Sequence, residues 1–265
     1  MLRINILWLA TLGTCWIVPG ASWASPAART LAPSGILRAA INFGNPILAT
    51  RDAATGAPLG VSVDLARELA TRLGVPLQLV TYNAAGKVVE GLKSGEWDVA
   101  FVAIDPARAV DLSYSAAYLV IEGAYLVRQD SPITGNAAVD RQGVRIVVGK
   151  GSAYDLYLTR EIKLAQIVRA PTSPAVTDTM VAQGLEVAAG VKQQLEADAK
   201  RIAGLRLLDG RFMTINQAMA IPRSRAAGTQ YLSEFVEEMK ASGFVAQALT
   251  RHGIEGASIA PPPPR

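Results

Sequence analysis

The stretch GVSVDLARELATRLGVPLQLVTY, residues 60–82, predicts a helix followed at once by a strand. Apolar side chains recur at helical spacing from Val61 to Leu73, as they do on the buried face of an amphipathic helix. Gly74 and Pro76 then end the helix. The apolar and β-branched residues from Leu77 to Tyr82 predict a strand. A helix and a strand joined by so short a turn are typical of α/β domains.

This unit belongs to a first α/β block. Ile36 to Phe43 predicts a strand before it, and Lys87 to Ser94 predicts a short helix after it. Trp97 to Ile104 is almost wholly apolar, which favours a strand that is buried on both faces by crossover helices.

A second block begins near Gly143, and strands and helices alternate in it as well. The predicted strands are Val144–Val148, Gln166–Arg169, Leu185–Val191 and Leu205–Leu208, and the predicted helices are Tyr154–Lys163, Pro174–Gln183 and Gln193–Ala203. This alternation predicts a parallel sheet in each block.

Two extended segments join the blocks, Tyr118 to Arg128 on the way out and Met213 to Pro222 on the way back, and helices from Ala226 to Ser242 and from Val245 to His252 follow. The chain therefore leaves the first block once and returns to it once. We expect a hinge of two crossing strands, with the ligand site in the cleft between two lobes.

These connections define the expected domains. Lobe 1 would comprise residues 25–122 and 217–252, and lobe 2 would comprise residues 128–212. Residues 253–265 contain four consecutive prolines and would form a disordered tail.

Residues 1–24 predict a secretory signal peptide. Arg3 supplies a positive charge, Ile4 to Leu12 is apolar, and Ser22-Trp23-Ala24 offers a cleavage site after Ala24. The apolar run is shorter than the ~20 residues of a membrane-spanning helix, although an uncleaved anchor is the alternative. We therefore expect a periplasmic protein. Cys15, the only cysteine, would leave with the signal, so the mature chain would hold no disulfide and no thiolate metal site.

Composition argues against several classes of function. The formal net charge is +4, and no run of Lys and Arg marks a nucleic-acid surface. The sequence has no nucleophile elbow, zinc-protease motif or phosphate-binding loop, and the sole histidine, His252, lies far from the predicted cleft. We expect no catalytic residue, no metal, no cofactor and a monomeric chain.

Five segments together resemble the bacterial solute-binding protein family 3. They are LRAAINFGNP (37–46), GVSVDLARELATRLGV (60–75), LKSGEWDVA (92–100), GVRIVVGKGSAYD (143–155) and FVEEMKASGFV (235–245). The resemblance covers about residues 34–252. It implies a two-lobed periplasmic binding protein fold of type II, which closes on a small polar solute such as an amino acid and docks on an ABC permease.

The resemblance places an arginine that clamps a carboxylate at Arg108. A guanidinium grips a carboxylate with two parallel hydrogen bonds, whereas an arginine exposed on a loop is the alternative. Ala103, Ile104 and Asp105 stand where typical members have small and hydroxyl residues.

Asn42, Phe43 and Asn45 follow the first strand, at the end where open α/β sheets bind ligands. The asparagines would hydrogen-bond the solute and Phe43 would cover its apolar part; a turn at Asn45 and a core position for Phe43 are the alternatives. Glu122 and Gln217, in the two crossing segments, are further hinge or cleft candidates.

In lobe 2 the predicted ligand contacts are Ser152, Ala153 and Tyr154, where a strand runs into a helix. Free amides and the dipole at a helix start attract anions. The Ser152 hydroxyl would otherwise only cap its own helix.

Val191 and Lys192 mark the clearest departure from the family pattern. Typical members place an aspartate at the position of Val191 to hold the ammonium group of the ligand. A buried ammonium group without an anionic partner is costly, so the ligand would lack a free amine or use another group. Lys192 would bind an anionic solute if it points inward, and otherwise faces solvent.

Two other functions remain open. The first is a cyclohexadienyl dehydratase-like enzyme on the same scaffold, for which Asp105, Asp155 and Glu122 are the nearby carboxylates. The second is a sensor that presents its solute to a membrane receptor.

Overall fold

A computed structural model describes residues 25–263 of the chain. The predicted signal peptide and Cys15 lie outside these residues. The elements of the first part of the chain are α1 (Pro26–Leu31), β1 (Leu37–Asn42), β2 (Thr50–Arg51), β3 (Pro58–Leu59), α2 (Val61–Leu73), β4 (Leu77–Tyr82), α3 (Ala85–Lys93), β5 (Val99–Ala103) and β6 (Leu112–Arg128).

The second part alternates as the sequence predicts and then returns to the first. Its elements are β7 (Arg145–Gly149), α4 (Ala153–Glu161), β8 (Gln166–Ala170), α5 (Val176–Ala182), β9 (Val187–Val191), α6 (Lys192–Arg201), β10 (Leu205–Leu207), β11 (Met213–Pro222), α7 (Thr229–Ala241), α8 (Phe244–Arg251) and β12 (Ser258–Ile259). Short 3-10 helices cover Asn136–Ala138 and Arg223–Gly228.

Two parallel sheets, one in each lobe, are joined by the antiparallel pair β6 and β11. In lobe 1, β1 lies between β4 and β5, and in lobe 2, β7 lies between β8 and β9. Strand β11 pairs with β5, and β6 pairs with both β11 and β9. The predicted crossing strands therefore do more than tether two separate sheets, because they continue one hydrogen-bonded sheet from lobe to lobe.

This topology brings the carboxyl ends of the parallel strands to the junction of the lobes. Asn42 ends β1, Ala103 ends β5, Gly149 ends β7 and Val191 ends β9. Chain segments that leave a parallel sheet at this edge are free to carry ligand-binding groups. The register of β11 shifts beside Gln217, a local irregularity of the kind common next to functional sites.

The hydrophobic core is divided in the same way. One large cluster joins β1, α2, α7 and α8 of lobe 1, and a smaller one surrounds Trp97, whose indole donates to the Val88 carbonyl at 2.8 Å. Two further clusters lie mainly in lobe 2, and one of them also includes Ile47 and Ala103 of lobe 1 at the junction. Most of each core thus lies within one lobe, which allows the lobes to move as units.

The sequence missed three features of lobe 1. Helix α1 and the small hairpin β2–β3 were not predicted, since each is too short to show a periodic pattern. Strand β6 begins at Leu112, whereas the predicted segment began at Tyr118, because Ser113 and Tyr114 pair with β11.

The prediction of a disordered tail over residues 253–265 is wrong for Ser258–Ala260. Ser258 and Ile259 pair with Val120 and Leu119 of β6, and the Ala260 amide donates to the Tyr118 carbonyl. The prolines begin only at Pro261, so the preceding amides remain available as strand donors. Among residues 25–263 we find no helix with the length and apolar character needed to cross a membrane.

Candidate functional site

A small cavity of about 30 Å³ lies between the lobes, at the carboxyl ends of the strands. That is room for about two water molecules, so a larger solute requires the lobes to separate first. Apolar walls come from Leu48, Ala85, Phe101, Val102, Ala103, Ala153, Val191 and Ile215. Polar groups come from Asn42, Asn45, Arg108, Ser152, Tyr154, Ser173 and Gln217.

Arg108 lines the cavity and joins the two lobes. Its side chain is almost fully buried, and it donates from Nη1 to the Ala103 carbonyl at 3.0 Å and from Nη2 to the Gly151 carbonyl at 2.9 Å. The Nε atom is buried without a hydrogen-bond partner among the described residues. Burial lowers the pKa of the guanidinium, and the charge of neighbouring Asp105 opposes this only in part. Arg108 is thus a desolvated cation held by neutral oxygens.

The start of α4 faces Arg108 from lobe 2. Ser152 caps the helix, with its hydroxyl accepting from the Asp155 amide at 3.0 Å, and it also lines the cavity. The Gly151 amide donates to the Asp155 carboxylate at 2.8 Å. The Ala153 amide at the first helical position donates to no oxygen within residues 25–263. Both proposed roles of Ser152, as a cap and as a lining group, are therefore compatible.

Tyr154 is buried against the cavity, and its hydroxyl lacks a clear hydrogen-bond partner. The hydroxyl lies near Ser152 and Ser173, yet it makes no well-formed hydrogen bond among the described residues. Burial raises the pKa of this phenol, so it stays protonated and keeps a proton to donate. Ser173, which the sequence analysis missed, follows β8; its only signal was a hydroxyl at the carboxyl end of a predicted strand.

Two of the three candidates after β1 line the cavity. Asn42 and Asn45 do so, and each side-chain oxygen also accepts a local amide, from Gly44 at 2.8 Å and from Ile47 at 3.2 Å. Phe43 does not line it: its ring packs on the lobe 1 core and lies 4.2 Å below the Arg51 guanidinium.

Of the two residues considered after β9, one lines the cavity and the other does not. Val191 lines the cavity, whereas Lys192 is not among the lining residues and pairs with Glu122 at 3.2 Å. Glu122 also pairs with Arg211 at 2.8 Å, and the hydrogen bond from Lys192 is the main reason for its lowered pKa. The prediction that Lys192 contacts the ligand is not supported by this placement. Because Glu122 already holds Lys192, an anionic solute gains little from that lysine.

Gln217 lies at the back of the cavity, on the second crossing strand. It pairs with Ala103 of β5 and with Leu119 of β6, and its side chain is almost fully buried. An amide can both donate and accept hydrogen bonds. The signal in the sequence was a polar residue directly before the apolar run from Ala218 to Pro222 in the second crossing segment.

A salt bridge closes the lobes beside the cavity. Asp105 of lobe 1 accepts both terminal nitrogens of Arg160 from α4, at 2.9 and 3.3 Å, and it also accepts the Ala107 amide at 2.8 Å. Nearby, Gly86 of α3 packs closely against Gly151. These contacts connect the two lobes directly.

We expect Arg160→Gln to lower solute affinity about two- to five-fold, because the Arg160 side chain is 38% exposed and such pairs contribute little. Isothermal titration calorimetry measures this, and added salt should reduce the difference from the unmodified protein. Arg145→Gln is the matched control, since Arg145 is equally exposed and pairs with Glu186 within lobe 2. Equal losses in both variants would contradict a role in closure.

Solved structures resemble this chain over most of its length. A solute receptor for L-cysteine from Neisseria gonorrhoeae has a TM-score of 0.74 at 21% identity, covering 87% of this chain and 94% of the receptor. An amino acid ABC transporter substrate-binding protein from Streptococcus pneumoniae, bound to L-arginine, has a TM-score of 0.72 at 16% identity, covering 84% and 97%. Both likenesses show the same two-lobed fold.

A third structure is an ancestral amino acid-binding protein described as a precursor of cyclohexadienyl dehydratase. Its TM-score is 0.69 at 19% identity, covering 83% of this chain and 96% of that protein. No curated protein matches this sequence significantly. Residues 37–254 match the family of bacterial extracellular solute-binding proteins, family 3, which is most of the chain and nearly the range that the five segments indicated. The chain belongs to the bacterial extracellular solute-binding proteins of family 3.

Proposed function

We propose that the chain is the periplasmic solute-binding component of an ABC importer, and that it holds a small polar solute bearing a carboxylate between its lobes. The observation that carries this proposal is the meeting of Arg108 with the start of α4 across the cleft, at a distance of 2.9 Å between Nη2 and the Gly151 carbonyl. A guanidinium and a helix N-terminus together bind a carboxylate more strongly than either alone.

The mechanism is a shift of population from open to closed lobes. Residues 122–128 and 212–217 are the expected hinge. Within residues 25–263, the chain passes from lobe to lobe in these two segments, which lie in β6 and at the start of β11. The solute first contacts one lobe and then gains contacts from the other, so it binds the closed form more tightly. A permease in the inner membrane would recognise the closed monomer.

An enzymatic role has less support. Each carboxylate that a dehydratase could use is held in an ion pair outside the cavity: Asp105 with Arg160, Asp155 with Arg169 and Glu122 with Lys192. A general acid must reach the leaving group within hydrogen-bond distance. None of these three carboxylates is among the groups that line the cavity.

A thermal-shift screen of the chain from residue 25 onward tests the proposal. Amino acids, opines, organic acids and polyamines are added separately, and a true ligand raises the unfolding midpoint because it binds only the folded form. We expect the ligand to be one of the carboxylates in this screen. A chain that is stabilised by no member of the screen, yet turns over prephenate or arogenate, would contradict the proposal in favour of the dehydratase.

A further inference from the structure

The charge composition of the cavity restricts the solute further, given the proposed function on which this step rests. We propose that the solute is a compact carboxylate that carries a hydroxyl or oxo group where an amino acid carries its ammonium group. Among residues 25–263, the lining has one cation, Arg108, and no carboxylate. A zwitterion would therefore find a partner for only one of its two charges.

Arg108 requires an anion. Its guanidinium is buried, its two hydrogen bonds go to neutral carbonyl oxygens, and its Nε has no partner among the described residues. The neighbouring Asp105 does not neutralise it, because both oxygens of that carboxylate accept hydrogen bonds from Arg160. A buried charge of this kind is stabilised by a ligand of opposite charge.

An ammonium group has no equivalent partner. The wall opposite the lobe 1 strands is Val191, which is buried and apolar, and Ile215 lies beside it in the lining. Asp155 is turned out of the cavity toward Arg169 and the Gly151 amide. Desolvating an ammonium group against aliphatic walls is unfavourable without an anionic partner.

A neutral oxygen on the solute fits the remaining groups. The hydroxyl of Tyr154 is buried, lines the cavity and lacks a well-formed hydrogen bond within residues 25–263. A protonated phenol donates to a hydroxyl or oxo oxygen. A neutral phenol can accept a hydrogen bond from an ammonium group, but it cannot balance the positive charge of that group. The lobes meet directly beside the cavity, at Arg108 and Gly151 and at Gly86 and Gly151, so a solute enclosed with these contacts in place must have few carbons.

Titration calorimetry with L-alanine, L-lactate and pyruvate tests the inference, because the three share one carbon skeleton and differ only in the group beside the carboxylate. We expect lactate or pyruvate to bind at least about 100-fold more tightly than alanine. Glycine, glycolate and glyoxylate form a smaller series with the same expected order.

The variant Val191→Asp should reverse this preference, because it places a carboxylate in the lining. Alanine should then bind more tightly, and lactate and pyruvate should bind more weakly. Val191→Asn is the matched control, because it has the same shape as aspartate without the charge and should not improve alanine binding. Val191 is the N-cap of α6, where aspartate and asparagine are both favourable, so both variants are expected to fold, and their unfolding midpoints check this.

The outcomes separate this inference from the proposed function. Tighter binding of alanine or glycine than of their hydroxy and oxo counterparts by the unmodified protein would overturn the inference and leave solute binding intact. Equal gains for alanine in Val191→Asp and Val191→Asn would also overturn it. If neither series bound to either the unmodified protein or Val191→Asp, the inference would fail, and the thermal-shift screen would decide separately whether the chain binds another carboxylate.

Discussion

Replacing Arg108 with alanine is expected to lower solute affinity by about 100-fold or more, the loss typical of truncating one member of a buried, hydrogen-bonded charge pair. Arg108 is the one cation that the described residues place in the lining, and it donates a hydrogen bond from lobe 1 to the Gly151 carbonyl before α4. Calorimetry with the solute that gives the largest thermal shift measures the loss. The unfolding midpoint of the empty protein should change little, because the lost hydrogen bonds are offset by relief of the desolvation of the guanidinium.

Two further variants show what kind of contact is lost. Arg108→Lys keeps the charge but not the planar pair of donors, so affinity should fall nearly as far. Arg206→Ala is the matched control, since Arg206 also donates to backbone carbonyls, those of Ser131 and Ile133, but lies outside the lining. Unchanged affinity in Arg108→Ala would remove this residue from the site.

Replacing Gly151 with alanine is expected to weaken solute binding about tenfold or more by holding the lobes apart. A Cβ atom at Gly151 would lie 2.8 Å from the Cα of Gly86, which is backbone of the opposite lobe and cannot turn aside. The only way to relieve the contact is to widen the cleft, so the closed form loses stability relative to the open one. Calorimetry gives the affinity, and small-angle X-ray scattering gives the shape with saturating solute.

Alanine at position 151 also strains the backbone, and a control variant is needed to separate this strain from the contact with Gly86. Its φ of 71° is in the left-handed region, where alanine costs roughly 1–2 kcal/mol in any location. Gly143→Ala carries the same kind of strain, with a φ of 81°, and its Cβ would meet no atom within 4 Å. Equal affinities in the two alanine variants would show that the contact with Gly86 does not limit closure.

Much of the fold follows from local patterns. Helix α2 has the predicted bounds, from Val61 to Leu73, because its apolar spacing and its Gly-Pro ending agree. Arg108 and Ser152 both line the cavity, as expected of residues that follow the carboxyl ends of strands in this architecture, while their contact with a solute stays a prediction.

Side-chain direction was less predictable, because it depends on partners that are distant in sequence. Phe43 is covered by Arg51 from the unpredicted hairpin, and Lys192 is held by Glu122 from a strand 70 residues earlier. No local pattern encodes either contact. The strand at Ser258 and Ile259 was missed for a related reason: it exists only because β6 offers an unpaired edge there.

Small-angle X-ray scattering of the protein with and without its solute tests hinge closure most directly. If the lobes shut on the solute, the radius of gyration and the maximum dimension of the unmodified protein should decrease as solute is added, and both should decrease less in Gly151→Ala. Identical scattering curves for the empty and the saturated protein, with calorimetry confirming saturation, would contradict a site that forms by closure of two lobes.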